Sequence, residues 1–278
     1  MSYTAEISRK NPSCFLFLID RSGSMADPFG EDTKRRKADQ VADVINRLLQ
    51  NLIIKCAKQE GVRDYYHIGV IGYGNQVGPA FAGALAGKEL VPISEVANTP
   101  ARIEERTKKT DDGAGGITDQ TIKFPVWFDP VAHGGTPMCQ ALTQAQSIMQ
   151  GWTSQHPHGF PPVVINISDG EPTDGDPSAP AEALMQTSSS DGNVLLFNIH
   201  ISSESGAAIL FPDAEDALPD DHARLLFNVS SRLPEFLRTL VQQEGIAVSD
   251  NTRGFAFQAD LVTLIKFLDI GTRPSNRR

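Results

Sequence analysis

The chain has 278 residues, a hydrophobic fraction of 40% and a formal net charge of -9, which is the composition of an ordinary globular protein with material for a sizeable core. The acidic balance argues against nucleic-acid partners and against adhesion to anionic lipid, since both need a positive patch, and the basic ending "TRPSNRR" is too short to reverse it. Cys14, Cys56 and Cys139 are odd in number and scattered, so they read as buried thiols in a reducing compartment, not as a disulfide framework.

Taken in chain order, "CFLFLID" (14–20) reads as a buried strand. It is far too short to cross a membrane and lacks a cleavage site, so the expected location is the cytoplasm. Apolar residues at helical spacing (Val41, Val44, Ile45, Leu48, Leu49, Leu52) predict a long amphipathic helix over 33–58. "YYHIGVIGYG" predicts a second strand and "QVGPAFAG" a short partner for it, punctuated by Gly and Pro. From 86 to about 123 the pattern is lost, and this polar, Gly-containing stretch reads as a surface insertion.

Order returns with "IKFPVWF", then a Gly-Gly-Thr-Pro loop and the helix "MCQALTQAQSIMQGW", with Pro137 expected in its first turn. The run 163–167 is apolar except for Asn166, as in a strand covered on both faces. A helix over 180–187, the strand "NVLLFNIHI", a short apolar run "RLLFNVS", and the helices "RLPEFLRTLVQQ" and "ADLVTLIKFLD" complete the chain. Such alternation predicts a doubly wound α/β fold: a mainly parallel open sheet flanked by helices on both faces. No repeat or linker divides it, so 1–278 reads as a single domain with a core of about 11–269 and a basic tail, 271–278.

In open α/β sheets ligands gather at the carboxyl ends of the strands, near the point where strand order reverses. Asp20 and Asp169 close two predicted strands at that edge, and Thr136 opens the helix between them. Ser22 and Ser24, two apart in a turning loop, direct both hydroxyls to one side. Oxygen ligands without His or Cys suit a hard cation. Magnesium or manganese fits a compact octahedral set better than calcium, and zinc is disfavoured.

"DRSGS" (20–24), "GGT" (134–136) and "SDG" (168–170) resemble, in order, the metal-ion-dependent adhesion site of von Willebrand factor A domains. The resemblance implies that Ser22, Ser24 and Thr136 serve as direct or water-mediated ligands. It also implies that Asp20 and Asp169 hold the metal directly or through water, with an open position for a partner's Asp or Glu. In some members of the family the last helix moves with affinity. At a coarser level the chain resembles intracellular bacterial members of the tellurium-resistance type, which occur alongside a protein kinase and a PP2C-like phosphatase. Other cytoplasmic members pair with AAA+ ATPases of the MoxR or chelatase kind. What this implies is a scaffold or adaptor, with neither enzyme activity nor a nucleic-acid or membrane partner.

Other readings stand beside this one. Asp20 and Asp169 are also ordinary capping residues. Asp27, Asp32, Glu171, Asp174 and Asp176 read as a solvated acidic rim, without the spacing of a calcium loop. His156 and His158 form a possible metal pair lacking a third ligand, His200 reads as a structural strand residue, and His133 is a loop neighbour of the site. Cys139 falls where a helix dipole would activate a thiol, although "MCQAL" places it in packing. Asp20 at a strand end also fits a magnesium-dependent phosphatase forming an aspartyl-phosphate. Against that reading, Ser22 stands where the second acid belongs, and no lysine position for steadying a phosphoryl group is evident.

Overall fold

The computed structural model describes residues 3–29, 34–111, 117–202 and 207–271. Asp32 and the basic tail beyond Gly271 lie outside them. β1 (Ser13–Asp20) leads through a 3-10 turn (Gly23–Ala26) to α1 (Lys37–Cys56), the two-residue strands β2 (Ala57–Lys58) and β3 (Gly61–Val62), and β4 (Tyr66–Tyr73). β5 (Val77–Pro79), β6 (Val91–Pro92), α2 (Ile93–Asn98) and the hairpin of β7 (Arg102–Asp111) and β8 (Ile117–Val126) follow. Then come α3 (Met138–Gln155), β9 (Val163–Ser168), α4 (Ser178–Gln186), β10 (Leu195–Ile201), β11 (Ile209–Leu210), α5 (Asp221–Asn228), α6 (Glu235–Gln243), β12 (Phe255–Ala259) and α7 (Leu261–Gly271).

The main sheet runs β11-β12-β10-β9-β1-β4-β5, with β6 also on β4. Pairings from β12 through β4 are parallel, and β5, β6 and β11 are antiparallel additions at the margins. β1 is buried along its whole length because both faces are covered. Phe15, Phe17 and Ile19 point into a core shared with α1, α2, α6 and α7, while Cys14, Leu16 and Leu18 meet α3, α4 and α5 on the other face. The fold is thus α/β and doubly wound. From β1 the chain steps to β4 on one side and later to β9 on the other, so the strand order reverses beside β1.

Several boundaries differ from the pattern in the sequence. α1 starts at Lys37, not near Thr33, because Arg36 is extended and the Asp39 carboxylate accepts its backbone N–H at 3.1 Å. Pro137 precedes the first turn of α3 as its N-cap. The run "RLLFNVS" lies mostly in α5, with its apolar face on the core.

Within the segment 86–123, the described residues 86–111 and 117–123 carry regular structure where the sequence shows no pattern. Val91, Ile93 and Val96 have no exposed surface, and the Trp127 indole donates to the Val96 carbonyl at 2.6 Å. Its distal part is a ten-pair antiparallel ribbon separate from the main sheet. Arg106 stacks 3.7 Å over Phe124 within the ribbon and ties the ribbon to α1 by pairing with Asp43 at 2.8 Å.

Candidate metal centre

Five oxygen-bearing residues meet at the carboxyl edge where strand order reverses. Asp20, the last residue of β1 and 1% exposed, shares one face of the sheet with Tyr73 and Ser168. One of its carboxylate oxygens accepts the Ser22 N–H at 2.7 Å, and the other accepts the Ser168 hydroxyl at 2.6 Å. Burial pushes the Asp20 carboxyl up to about 6, against those hydrogen bonds, and the Asp169 charge adds to the rise. A cation beside it would favour the charged form.

Ser22 caps the 3-10 turn, which brings its Oγ to 3.0 Å from Ser24 Oγ. Ser24 in turn donates to Asp169 Oδ1 at 2.8 Å. The other Asp169 oxygen, Oδ2, accepts from the Lys37 ammonium, also at 2.8 Å. The Asp169 side chain has no exposed surface.

Thr136 arrives from the Gly-Gly-Thr loop, and that loop depends on glycine. Gly134 has φ +97, and a Cβ there would lie 2.4 Å from the Asn75 nitrogen, so no other residue fits without moving the backbone. The Gly134 carbonyl accepts the Gly23 N–H at 2.9 Å, joining this loop to the serine loop. Thr173 locks the other side: its hydroxyl accepts the Thr136 N–H at 2.9 Å, and its own N–H donates to the Thr136 carbonyl at 3.0 Å.

Ser24 Oγ and Thr136 Oγ1 border a common space above Gly170, where a Cβ would stand 3.9 and 3.8 Å from them. Two carboxylates and three hydroxyls around one gap suit a hard divalent cation, and the charges balance. Ser22, Ser24 and Thr136 would hold it, with Asp20 and Asp169 direct or through water. Among the described residues no three His, Cys, Asp or Glu side chains gather as a metal cage; the donors at this gap are carboxylate and hydroxyl oxygens.

No family model and no curated protein matches the chain. Among solved structures it is similar to three N-terminal domains of the type V pili tip protein Mfa5 from Porphyromonas gingivalis, at 15% identity and a TM-score of 0.33, with 58% of this chain and 20% of that one covered. It is also similar to the vWF domain of the same protein at 15% identity and a TM-score of 0.31, covering 58% and 39%. The chain thus spans well under half of either, and overlap this low adds nothing to the reading of the site.

The remaining candidates separate from this centre. Asp174 accepts the N–H groups of Cys139 and Gln140 at 3.1 and 2.9 Å, and Asp176 accepts that of Ser178 at 2.8 Å. Both acids therefore terminate helices and are not merely a solvated rim. His156 stacks on Trp152 at 4.3 Å and its Nδ1 meets the Trp152 carbonyl, while His158 faces Ser190, so they form no metal pair. Cys14 and Cys56 are buried, but Cys139 is partly exposed. Burial and the neighbouring Asp174 push the Cys139 thiol up to about 11, the opposite of activation by a helix dipole. His133 joins the loops through its backbone, accepting the Asn75 N–H at 3.0 Å and donating its own N–H to the Arg21 carbonyl at 2.5 Å.

Sequence reasoning missed two further groups. Ser168 lies inside the "SDG" motif, but its bond to Asp20 spans 148 positions and has no local signal. Lys37, 8% exposed, is an unremarked helix-start lysine in the sequence, yet its ammonium lies against Asp169 and 3.7 Å from Asp27. Beside this pair opens a cavity of about 780 Å³, lined among others by Lys37, Asp169, Glu171, His200 and His222.

Proposed function

We propose that the protein is a metal-dependent protein-binding module of the von Willebrand factor A kind. A magnesium or manganese ion held by Asp20, Ser22, Ser24, Thr136 and Asp169 offers a coordination position to an aspartate or glutamate of a partner protein. The observation that carries this reading is the linked set Ser22–Ser24–Asp169, with Thr136 facing the same gap. An open cavity adjoins it, where an incoming side chain would be partly desolvated and the charged contact strengthened. Among the described residues no helix is long and apolar enough to cross a membrane. We read the chain as a cytoplasmic scaffold or adaptor working with a kinase and a PP2C-like phosphatase, or with an AAA+ ATPase.

Catalysis through Asp20 fits the geometry less well. A lysine, Lys37, does reach the site, but its ammonium lies on Asp169, and Asp20 is 1% exposed with both its oxygens engaged by Ser22 and Ser168. A nucleophile needs an accessible lone pair directed at substrate. To test the binding reading, partners are captured from native lysate on wild type and on the Asp20→Ala, Ser22→Ala double variant, in magnesium and in EDTA. Partners lost both in EDTA and on a folded variant support it. Retention under every condition would leave any ion without a role in adhesion.

A further inference from the structure

We infer that Lys37 is a tethered competitor for the divalent ion, an inference that rests on the metal-binding reading above. The Asp169 carboxylate is fully committed within the chain, with Oδ2 on the Lys37 ammonium and Oδ1 on the Ser24 hydroxyl, both at 2.8 Å. The Lys37 side chain is 10% exposed and that of Asp169 is wholly buried, so solvent screens their attraction little. An entering cation needs Asp169 oxygens that now face one positive charge and one hydroxyl proton. It must take Asp169 from Lys37, or share it at close range with another cation.

The local structure provides for the exchange. Lys37 is the first residue of α1 and its backbone N–H donates to the Asp27 carbonyl at 2.8 Å, so the main chain is anchored and the movement falls to the four-carbon side chain. Asp27 already lies 3.7 Å from the ammonium with its side chain 66% exposed, and Glu171 lines the adjoining cavity. Lys37 therefore has two stations: Asp169 when the ion is absent, Asp27 and the cavity wall when it is bound. Without the ion, Lys37 compensates a carboxylate that would otherwise be buried beside Asp20 with no cation. Ion affinity is thereby traded for stability of the ion-free protein.

The test is a manganese titration of the full chain by calorimetry, together with thermal melts with and without manganese, for wild type, Lys37→Met and Lys37→Arg. Removing one unit charge at this range should tighten manganese binding by about tenfold or more. Lys37→Met should also melt lower than wild type without ion, with the gap closing or reversing in saturating manganese, while Lys37→Arg should bind no tighter than wild type. If Lys37→Met does not fold without ion, it is purified in manganese and its affinity read from release to a graded chelator. Unchanged or weaker binding by Lys37→Met, with wild type still binding, would overturn the competitor role and leave the metal centre standing. If neither protein binds manganese, the metal reading falls and this inference with it.

Discussion

At the scale of single residues, the centre shows how burial sets charge. Asp20 holds its proton more tightly folded than unfolded, so its contribution to stability grows as pH falls from about 6 toward the ordinary carboxylate range. His200 works the other way. It stacks on Phe257 at 4.7 Å and accepts the Gln258 N–H at Nδ1, and burial, followed by the nearby His222, pushes it down to about 4. The unfolded chain binds that proton near pH 6.5 and the folded one does not, so stability is full above about 6.5 and is lost as pH falls toward 4. Urea melts at pH 7 and pH 4.5 should show His200→Gln losing less stability than wild type across this step, by on the order of 1–3 kcal/mol. Equal losses would place the acid sensitivity elsewhere, His67 and His222 being the other depressed imidazoles.

Which residues were legible at this scale follows from how far their information extends along the chain. Asp20, Ser22 and Ser24 lie within five positions, and the strand-end placement of Asp20 is written in the apolar run before it. Asn166 also stood out as the one polar residue in an apolar strand. Its reason is a ladder across the sheet: Tyr73 donates to Asn166 at 2.7 Å, Asn166 to Asn198 at 3.0 Å, and Asn198 to Ser230 at 2.9 Å. Lys37 carried no such mark, because what distinguishes it is a contact 132 positions away.

At the scale of elements, the longer helices and the parallel strands β1, β4, β9 and β10 were readable because their apolar periodicity records burial on one face or both, whereas α2, the helical character of α5 and the strand β12 were not. Nor was the hairpin of β7 and β8. Its strands are rich in charged and polar residues, and much of their stabilisation comes from pairing with each other and from the Arg106–Phe124 stack. Of the edge strands, β5 was marked by its Gly and Pro punctuation, while β6 and β11, with two residues each, are too short to show a period.

Loop geometry also belongs to this scale. Because Gly134 combines a left-handed backbone with a neighbour 2.4 Å from any Cβ, Gly134→Ala should displace the Thr136 loop. A stability loss of about 1–3 kcal/mol in chemical denaturation is expected, with weaker manganese binding alongside. Wild-type stability and binding would show that the loop relaxes without cost.

At the scale of the whole molecule, the doubly wound sheet gathers loops from β1, β9 and the N-terminus of α3 into one edge, though β1 ends at Asp20 and α3 begins only at Met138. Helices cover both faces of the sheet behind that edge, and a cavity of about 780 Å³ opens beside Asp169. An ion that binds the folded chain alone must raise its stability by mass action, by about 2.7 kcal/mol at a hundredfold excess over its dissociation constant.

The most direct measurement is therefore a calorimetric manganese titration of wild type beside the Ser22→Ala, Ser24→Ala double variant, each first shown to be folded by its melt in EDTA. The centre proposed above predicts one ion per wild-type chain and a loss of affinity of at least about tenfold in the variant, since two of the hydroxyls proposed to hold the ion are removed. Equal binding by the two proteins, or none by the wild type, would contradict it.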